Sequence, residues 1–294
     1  MIYFPVNAAR ITISPNQRKA GAVSMWNGQY HFFDYKYNIE GYSGQDYDGA
    51  GRWVYLIFAL VSIAVLLVIF RNAKRRHVDL YIKIVGFAMP VLEIAKVTWE
   101  SVWDVKTGRG FNWEGLLPIY TCSLFIYCML IAALSKGKIR DWCLSWVCTI
   151  GLVGGLSNVF FIRGLKWYPF FTFGAFYSMT FHYVMVFTAL FLVVTRYKEY
   201  RFSDIWKAFA VHCIFSLIVI PTDFHHHWDY MQYYEAGGVP LLEDVSDRFA
   251  DAGYRFLTAP MMLAVYLALD AALSTIYVFG QRLAGRVTGR REPK

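Results

Sequence analysis

The feature that most constrains this chain is a series of apolar runs, each close to the length of a bilayer-spanning helix. A helix needs about 20 mostly apolar residues to cross the hydrocarbon core. The candidates are Trp53–Phe70, Asp79–Trp103, Gly115–Leu134, Asp141–Ile162, Phe173–Thr195, Ser203–Pro221 and Phe256–Gly280. The second is the weakest, because it contains Lys83, Glu93, Lys96 and Glu100. Hydrophobic residues make up 57% of the chain and charged ones 17%. A soluble domain carries about 25% charged residues, so this composition excludes an ordinary soluble protein. Aromatics at 19% suit the interfacial belts where Trp and Tyr collect. The five cysteines are an odd number and most lie in apolar runs, so no disulfide framework is indicated. The first fifty residues hold no apolar core like that of a signal peptide.

A net charge of +8 would point to nucleic acid in a soluble protein. Here the charge sits in short loops between apolar runs, so it reports topology and no nucleic-acid partner is expected. The connections after runs one, three and five, with the carboxyl-terminal tail, hold fifteen lysines and arginines. The connections on the other side hold six, together with an acidic loop from Asp223 to Asp251. The positive-inside rule then places the amino terminus outside and the carboxyl terminus in the cytoplasm. The expected fold is an all-α membrane protein, a seven-transmembrane-helix bundle. Residues 1–52 form a small irregular external cap. Residues 53–282 form the membrane domain, including an external loop at 222–255, and 283–294 form a basic cytoplasmic tail. Within the cap, Met25 to Phe32 reads as a hairpin turning at Asn27-Gly28. Within the loop, a short helix is expected near Leu241–Ala252.

Polar groups fall in one layer of this bundle. At a rise of about 1.5 Å per residue, Cys122 lies roughly 10 Å from the outer end of its run, and His182 and His212 each roughly 13 Å from theirs. Asn158 lies nearer the outer end of run four, and Glu93 and Lys96 in the outer half of run two. Ionisable groups at membrane depth usually face a bundle interior or a wet cavity. The layer therefore predicts one cavity opening outward. His182 shares a helix face with Ala175 and Ser178, while Gly151, Gly155 and Asn158 form a small-residue face for close packing. Pro90 is expected to kink run two, and Pro118 to sit in the first turn of run three.

A thiol and an imidazole that meet in a bilayer can perform acyl chemistry on lipid. Against this, a free cysteine in a membrane helix is usually a small hydrophobe, the reading given to Cys128, Cys143, Cys148 and Cys213. His212 has three readings: it orients His182, binds substrate, or bonds only to Ser216 or a backbone carbonyl. Glu93, Lys96 and Glu100 share a helix face where they neutralise one another, with Glu93 also a candidate to orient a histidine. Asp270 is expected to bond to a neighbouring helix. His225, His226 and His227 are adjacent and lack the ligand spacing of a zinc site, so no metal is expected. Arg163, Lys166 and these histidines are candidates to hold phosphate head groups at the surface.

From Leu117 onward the chain resembles a known family. Leu117-Pro118 leads to Cys122, Gly151–Gly155 forms a glycine-rich run, and Trp167-Tyr168-Pro169-Phe170-Phe171 forms an aromatic loop. The next run carries His182, and a later one ends in Pro221-Thr222-Asp223. This order resembles the YwaF-type integral membrane proteins, whose animal branch includes a cysteine-dependent transmembrane lysophospholipid acyltransferase. The chain departs from that pattern at Tyr120, where members often have histidine, and at Tyr183, where they often have a small residue. The resemblance implies Cys122 as nucleophile and His182 as base, with no cofactor, and phospholipid and lysophospholipid as partners. Thr121, Ser123, Asn158 and Tyr120 are candidate oxyanion donors. Three other classes stay open: a solute transporter or sensor, a non-catalytic subunit of a membrane complex, and a membrane metal hydrolase.

Overall fold

A computed structural model describes residues 31–35, 50–111, 113–161 and 168–287. The helices are α1 (Ala50–Phe70), α2 (Arg75–Lys106), α3 (Trp113–Leu116), α4 (Leu124–Leu134), α5 (Gly137–Cys148) and α6 (Ile150–Phe161). They continue with α7 (Phe173–Val194), α8 (Ser203–His226), α9 (Pro240–Asp251) and α10 (Thr258–Val287), and a 3₁₀ turn at Arg255–Leu257 precedes α10. No strand occurs among the described residues. The hairpin expected at Met25–Phe32 lies almost wholly outside them, as do Arg163 and Lys166.

Among the described residues, five segments are long and apolar enough to cross a membrane: Gly51–Phe70, Gly137–Phe161, Phe173–Val194, Ser203–His226 and Arg255–Leu283. Backbone groups in lipid must be satisfied within the chain, which is why such runs fold as helices. The chain is a multi-pass membrane protein. α1 shows the inverted logic of a lipid-facing helix. Tyr55, Ala59 and Ile63 form one buried stripe, whereas Ile57, Phe58, Val61, Val65 and Val68 are exposed apolar side chains.

Two runs differ from their expected form. The third is not one helix. Proline at 118 has no N–H to donate, and residues 117–119 are non-helical, with a turn at 121–123 before α4 begins. The fourth breaks at Thr149 (φ −109°, ψ −90°) between α5 and α6. α2, by contrast, runs unbroken through Pro90 for 32 residues despite its charges. α8 continues past Pro221 to His226, where His227 (φ 59°) caps it by donating its N–H to the Asp223 carbonyl.

Glycine sets the closest approaches. α2 packs most extensively on α4. There a Cβ on Gly86 would stand 2.6 Å from the Met129 carbonyl oxygen. α6 packs on α7 through Gly155, whose Cβ would meet Val186 at 2.9 Å and Met185 at 3.0 Å. Of the small-residue face expected in run four, Gly155 makes the close approach; at Gly151 the nearest atoms to a Cβ belong to Trp146, at 3.4 Å or more.

Side-chain bonds gather the basic connections at one end. Arg140 pairs with Asp79 at 2.8 Å, Tyr197 donates to Asp79 at 2.6 Å, and Arg75 lies over the Tyr197 ring. Burial and the Asp79 carboxylate push the Tyr197 hydroxyl up to about 12. Beside them Lys198 and Lys207 bridge Asp141 and Asp204, at 2.5–3.0 Å. At the other end the long loop is folded. Asp229 accepts backbone N–H bonds from Tyr234, Glu235 and Gly237, each at 2.9 Å. α9 covers the helix expected near Leu241–Ala252, with Pro240 at its first turn. Phe33 offers its carbonyl to the indoles of Trp99 and Trp103 at the end of α2.

Candidate functional site

Cys122 sits in the turn between α3 and α4, half-buried. Its carbonyl accepts the Phe125 N–H at 3.0 Å, so the residue opens α4 without belonging to it. The expected placement inside a continuous third helix is corrected: residues 117–119, around Pro118, are non-helical and the cysteine lies on the turn that follows. Glu93 and Lys96 of α2 lie within electrostatic reach of its thiol.

That α2 face is a compensated charge stripe. Lys96 lies 3.8 Å from Glu93 and 2.9 Å from Glu100. The Tyr177 hydroxyl donates to Glu93 and the Tyr168 hydroxyl to Glu100. Spacings of three and four residues bring these groups together as the sequence implied. No histidine bonds to Glu93 among the described residues; its second partner is a tyrosine of α7.

On the other side of Cys122, Thr121 is tied to α10 and the long loop. Tyr266 donates to Gln232 Oε1 at 2.6 Å and meets the Thr121 hydroxyl at 2.9 Å. Tyr266 is itself within reach of Cys122. The cysteine turn is thus held between a charged helix and a hydroxyl–amide cluster.

His182 is buried on α7. Its Nδ1 lies 2.7 Å from the Ser178 carbonyl, which can only accept, so Nδ1 carries the proton and Nε2 keeps the lone pair. Phe181 stands edge-on to the ring at 5.2 Å between centroids. The backbone carbonyl of His182 faces Gly155, at 3.2 Å from a Cβ built there. The side chain that reaches towards α2 from this part of α7 is Tyr177, 140° around the helix at 100° per residue. Among the described residues no hydrogen bond joins His182 to Cys122.

His212 is a different case. Trp146 donates its indole N–H to His212 Nδ1 at 3.3 Å, and an indole can only donate. The neutral ring therefore carries its proton on Nε2, which lies 3.0 Å from the Tyr233 hydroxyl. Tyr233 donates in turn to Ser216 at 2.6 Å, and Ser216 to the His212 carbonyl at 2.8 Å. Both ring nitrogens are occupied and the chain closes on itself. This is a fixed structural histidine that packs on Tyr266, ring centroids 4.0 Å apart. It neither orients His182 nor offers a free nitrogen to substrate.

Asn158 is half-buried on α6 and its side chain makes no hydrogen bond among the described residues. Tyr120 is partly exposed and packs edge-on against Tyr230 at 4.9 Å. His225, His226 and His227 are exposed; His226 stacks on Trp228, and His227 bonds to Tyr234. Among the described residues no group of three His, Cys, Asp or Glu side chains is arranged to hold a metal ion.

Between α2 and α7 lies a shallow apolar groove, lined by Met89, Leu92, Phe173, Phe176, Tyr177, Thr180 and Phe181. Leu92 and Phe176 at its rim are exposed, so it opens on the outside of the bundle. Tyr177 joins this groove to the Glu93 carboxylate and lies within reach of Cys122.

Tyr177, Tyr266, Gln232, Tyr233 and Trp146 were not legible as site residues from ionisable groups alone. The available signal was the polar tip of each tyrosine in or beside an apolar run, since a buried hydroxyl needs a partner.

A family model described as the TMEM164 family, a family of transmembrane proteins, matches residues 45–278. No curated protein and no solved structure matches the chain.

Proposed function

The chain belongs to the TMEM164 family, and we propose that it is a membrane acyltransferase working through a thioester on Cys122. In this reading α2 and the broken third run complete seven passes, with the amino terminus outside and the basic connections in the cytoplasm. The acyl donor is a phospholipid that enters sideways, and the acceptor is a lysophospholipid.

The observation that carries the reading is the setting of Cys122. The thiol lies on a turn at the opening of a helix, near the Glu93 carboxylate and the Lys96 ammonium, and near an apolar groove on the outside of the bundle. The groove is shallow and wholly apolar, a surface against which part of an acyl chain can lie. In the reaction, His182 Nε2 takes the thiol proton and sulfur attacks the ester carbonyl. The tetrahedral intermediate collapses, lysophospholipid leaves with the proton from His182, and the acyl chain stays on sulfur. The hydroxyl of a second lysophospholipid then gives its proton to His182 and attacks the thioester, and the thiol is restored. The Nδ1 bond to Ser178 suits this role, since it fixes the ring with Nε2 unprotonated. This step requires α7 to turn His182 towards the thiol when lipid binds, because Tyr177 and not His182 faces α2.

The test is transfer of a labelled acyl chain from phospholipid to lysophospholipid by purified protein in vesicles. Cys122→Ser should abolish transfer and His182→Ala nearly abolish it. Transfer that survives both changes sinks the proposal.

A further inference from the structure

Asp270 lies near the middle of α10 and is fully buried, and neither carboxylate oxygen has a hydrogen-bond partner among the described residues. For the expected bond to a neighbouring helix there is one candidate, the Thr149 hydroxyl at the end of α5, which stops short of hydrogen-bond geometry. One turn along, Ser274 is also fully buried, and its hydroxyl is likewise without a partner. An ionised carboxylate in this position would be costly, and carboxylates at membrane depth pair with other groups or mark functional sites. No ion pair reaches Asp270 among the described residues.

The neighbour it meets is Thr149, at the break between α5 and α6. A hydroxyl has one proton, and Thr149 directs it to the helix carbonyls of Ser145, at 3.0 Å, and Trp146, at 3.4 Å. That proton can swing instead onto the Asp270 carboxylate, since a hydroxyl turns freely about its C–O bond. When the carboxyl group is protonated the direction reverses, and Asp270 donates to Thr149 Oγ1. From α8, Cys213 is the titratable group that faces Asp270. The nearby Cys148 thiol points instead to the Ala189 carbonyl of α7.

The site also has a polar connection to one end of the bundle. The Ser145 hydroxyl lies 3.3 Å from Asp204, and Asp204 is bonded to Lys198 and Lys207. Lys207 and Asp141 are partly exposed there.

We propose that Asp270, with Thr149 and Ser274, is a proton-binding site at the centre of the bundle that takes up and releases a proton. It is separate from the thioester chemistry of Cys122 and does not depend on it.

The experiment uses the full chain in vesicles and dicyclohexylcarbodiimide, which modifies protonated carboxyl groups in apolar surroundings. Mass spectrometry should find the adduct on the peptide containing Asp270, and the rate of its formation should fall as pH rises. Asp270→Asn should remove the adduct. Thr149→Val removes the hydroxyl that can donate to the carboxylate, so the half-point of labelling should move to higher pH. That shift is read on a carboxyl still present, even if Asp270→Asn fails to fold. Absence of an adduct at Asp270, or a rate that does not change with pH, overturns the proposal. Protection by sodium or potassium ions at constant pH also overturns it, because the site would then hold a metal cation.

Discussion

Gly86→Ala should loosen the close contact between α2 and α4. At Gly86 a Cβ would stand 2.6 Å from the Met129 carbonyl oxygen and 2.7 Å from the Ala133 Cβ. Ordinary contact begins at 3.4 Å, so α2 and α4 must separate by about 0.8 Å. Neither obstacle is the end of a flexible side chain, so no rotamer change relieves the clash. Overpacking of this kind costs about 1–3 kcal/mol. Gly154→Ala is the matched control. It lies in a helix of the same bundle, and its new methyl would meet only the end of Met185, at 3.7 Å. The assay is reversible unfolding of both variants in mixed micelles, with helicity as the readout. Gly86→Ala should lose stability in that range while Gly154→Ala stays within about 0.5 kcal/mol of the parent. Glu93 and Lys96 sit two to three turns further along α2, and Cys122 lies just before α4. The same substitution should therefore slow acyl transfer. Equal stability of the two variants would refute the close α2–α4 packing.

Further outcomes follow from individual bonds. Tyr233→Phe leaves the His212 Nε2 proton without its acceptor and should cost about 1–3 kcal/mol, measured by the same unfolding assay; an unchanged midpoint would contradict the closed network. Asp229→Ala removes the acceptor of three backbone bonds and should make residues 229–239 sensitive to limited proteolysis, while resistance equal to the parent would count against it. Tyr177→Phe takes a donor from Glu93 beside the groove and should slow acyl transfer without unfolding the protein, so a full transfer rate would remove Tyr177 from the site.

Much of the fold was legible because lipid permits few solutions. The apolar runs around Leu60, Val186, Ile214 and Leu263 each became one long helix, and the run around Leu152 a pair broken at Thr149. The charge stripe of α2 was legible too, since Glu93, Lys96 and Glu100 neutralise one another at helical spacing. The breaks were harder. Pro118 could sit in a first turn or end a helix, and the choice depends on tertiary partners of Thr121 that are 111 and 145 residues away. Thr149 carries no helix-breaking residue beside it, so the division of run four left no local mark. Histidine roles were illegible for a related reason. His182 and His212 lie at similar depth, yet one leaves Nε2 unbonded and the other is closed by Trp146 and Tyr233. Depth comes from sequence, whereas the direction of a ring depends on which helix stands opposite.

The most direct test of the account is the mass of the protein after incubation with a phospholipid of defined acyl chains. The account predicts one added acyl group on the peptide bearing Cys122, released by hydroxylamine and absent from Cys122→Ser. An unmodified peptide under conditions of active transfer, or an adduct that persists in Cys122→Ser, would contradict it.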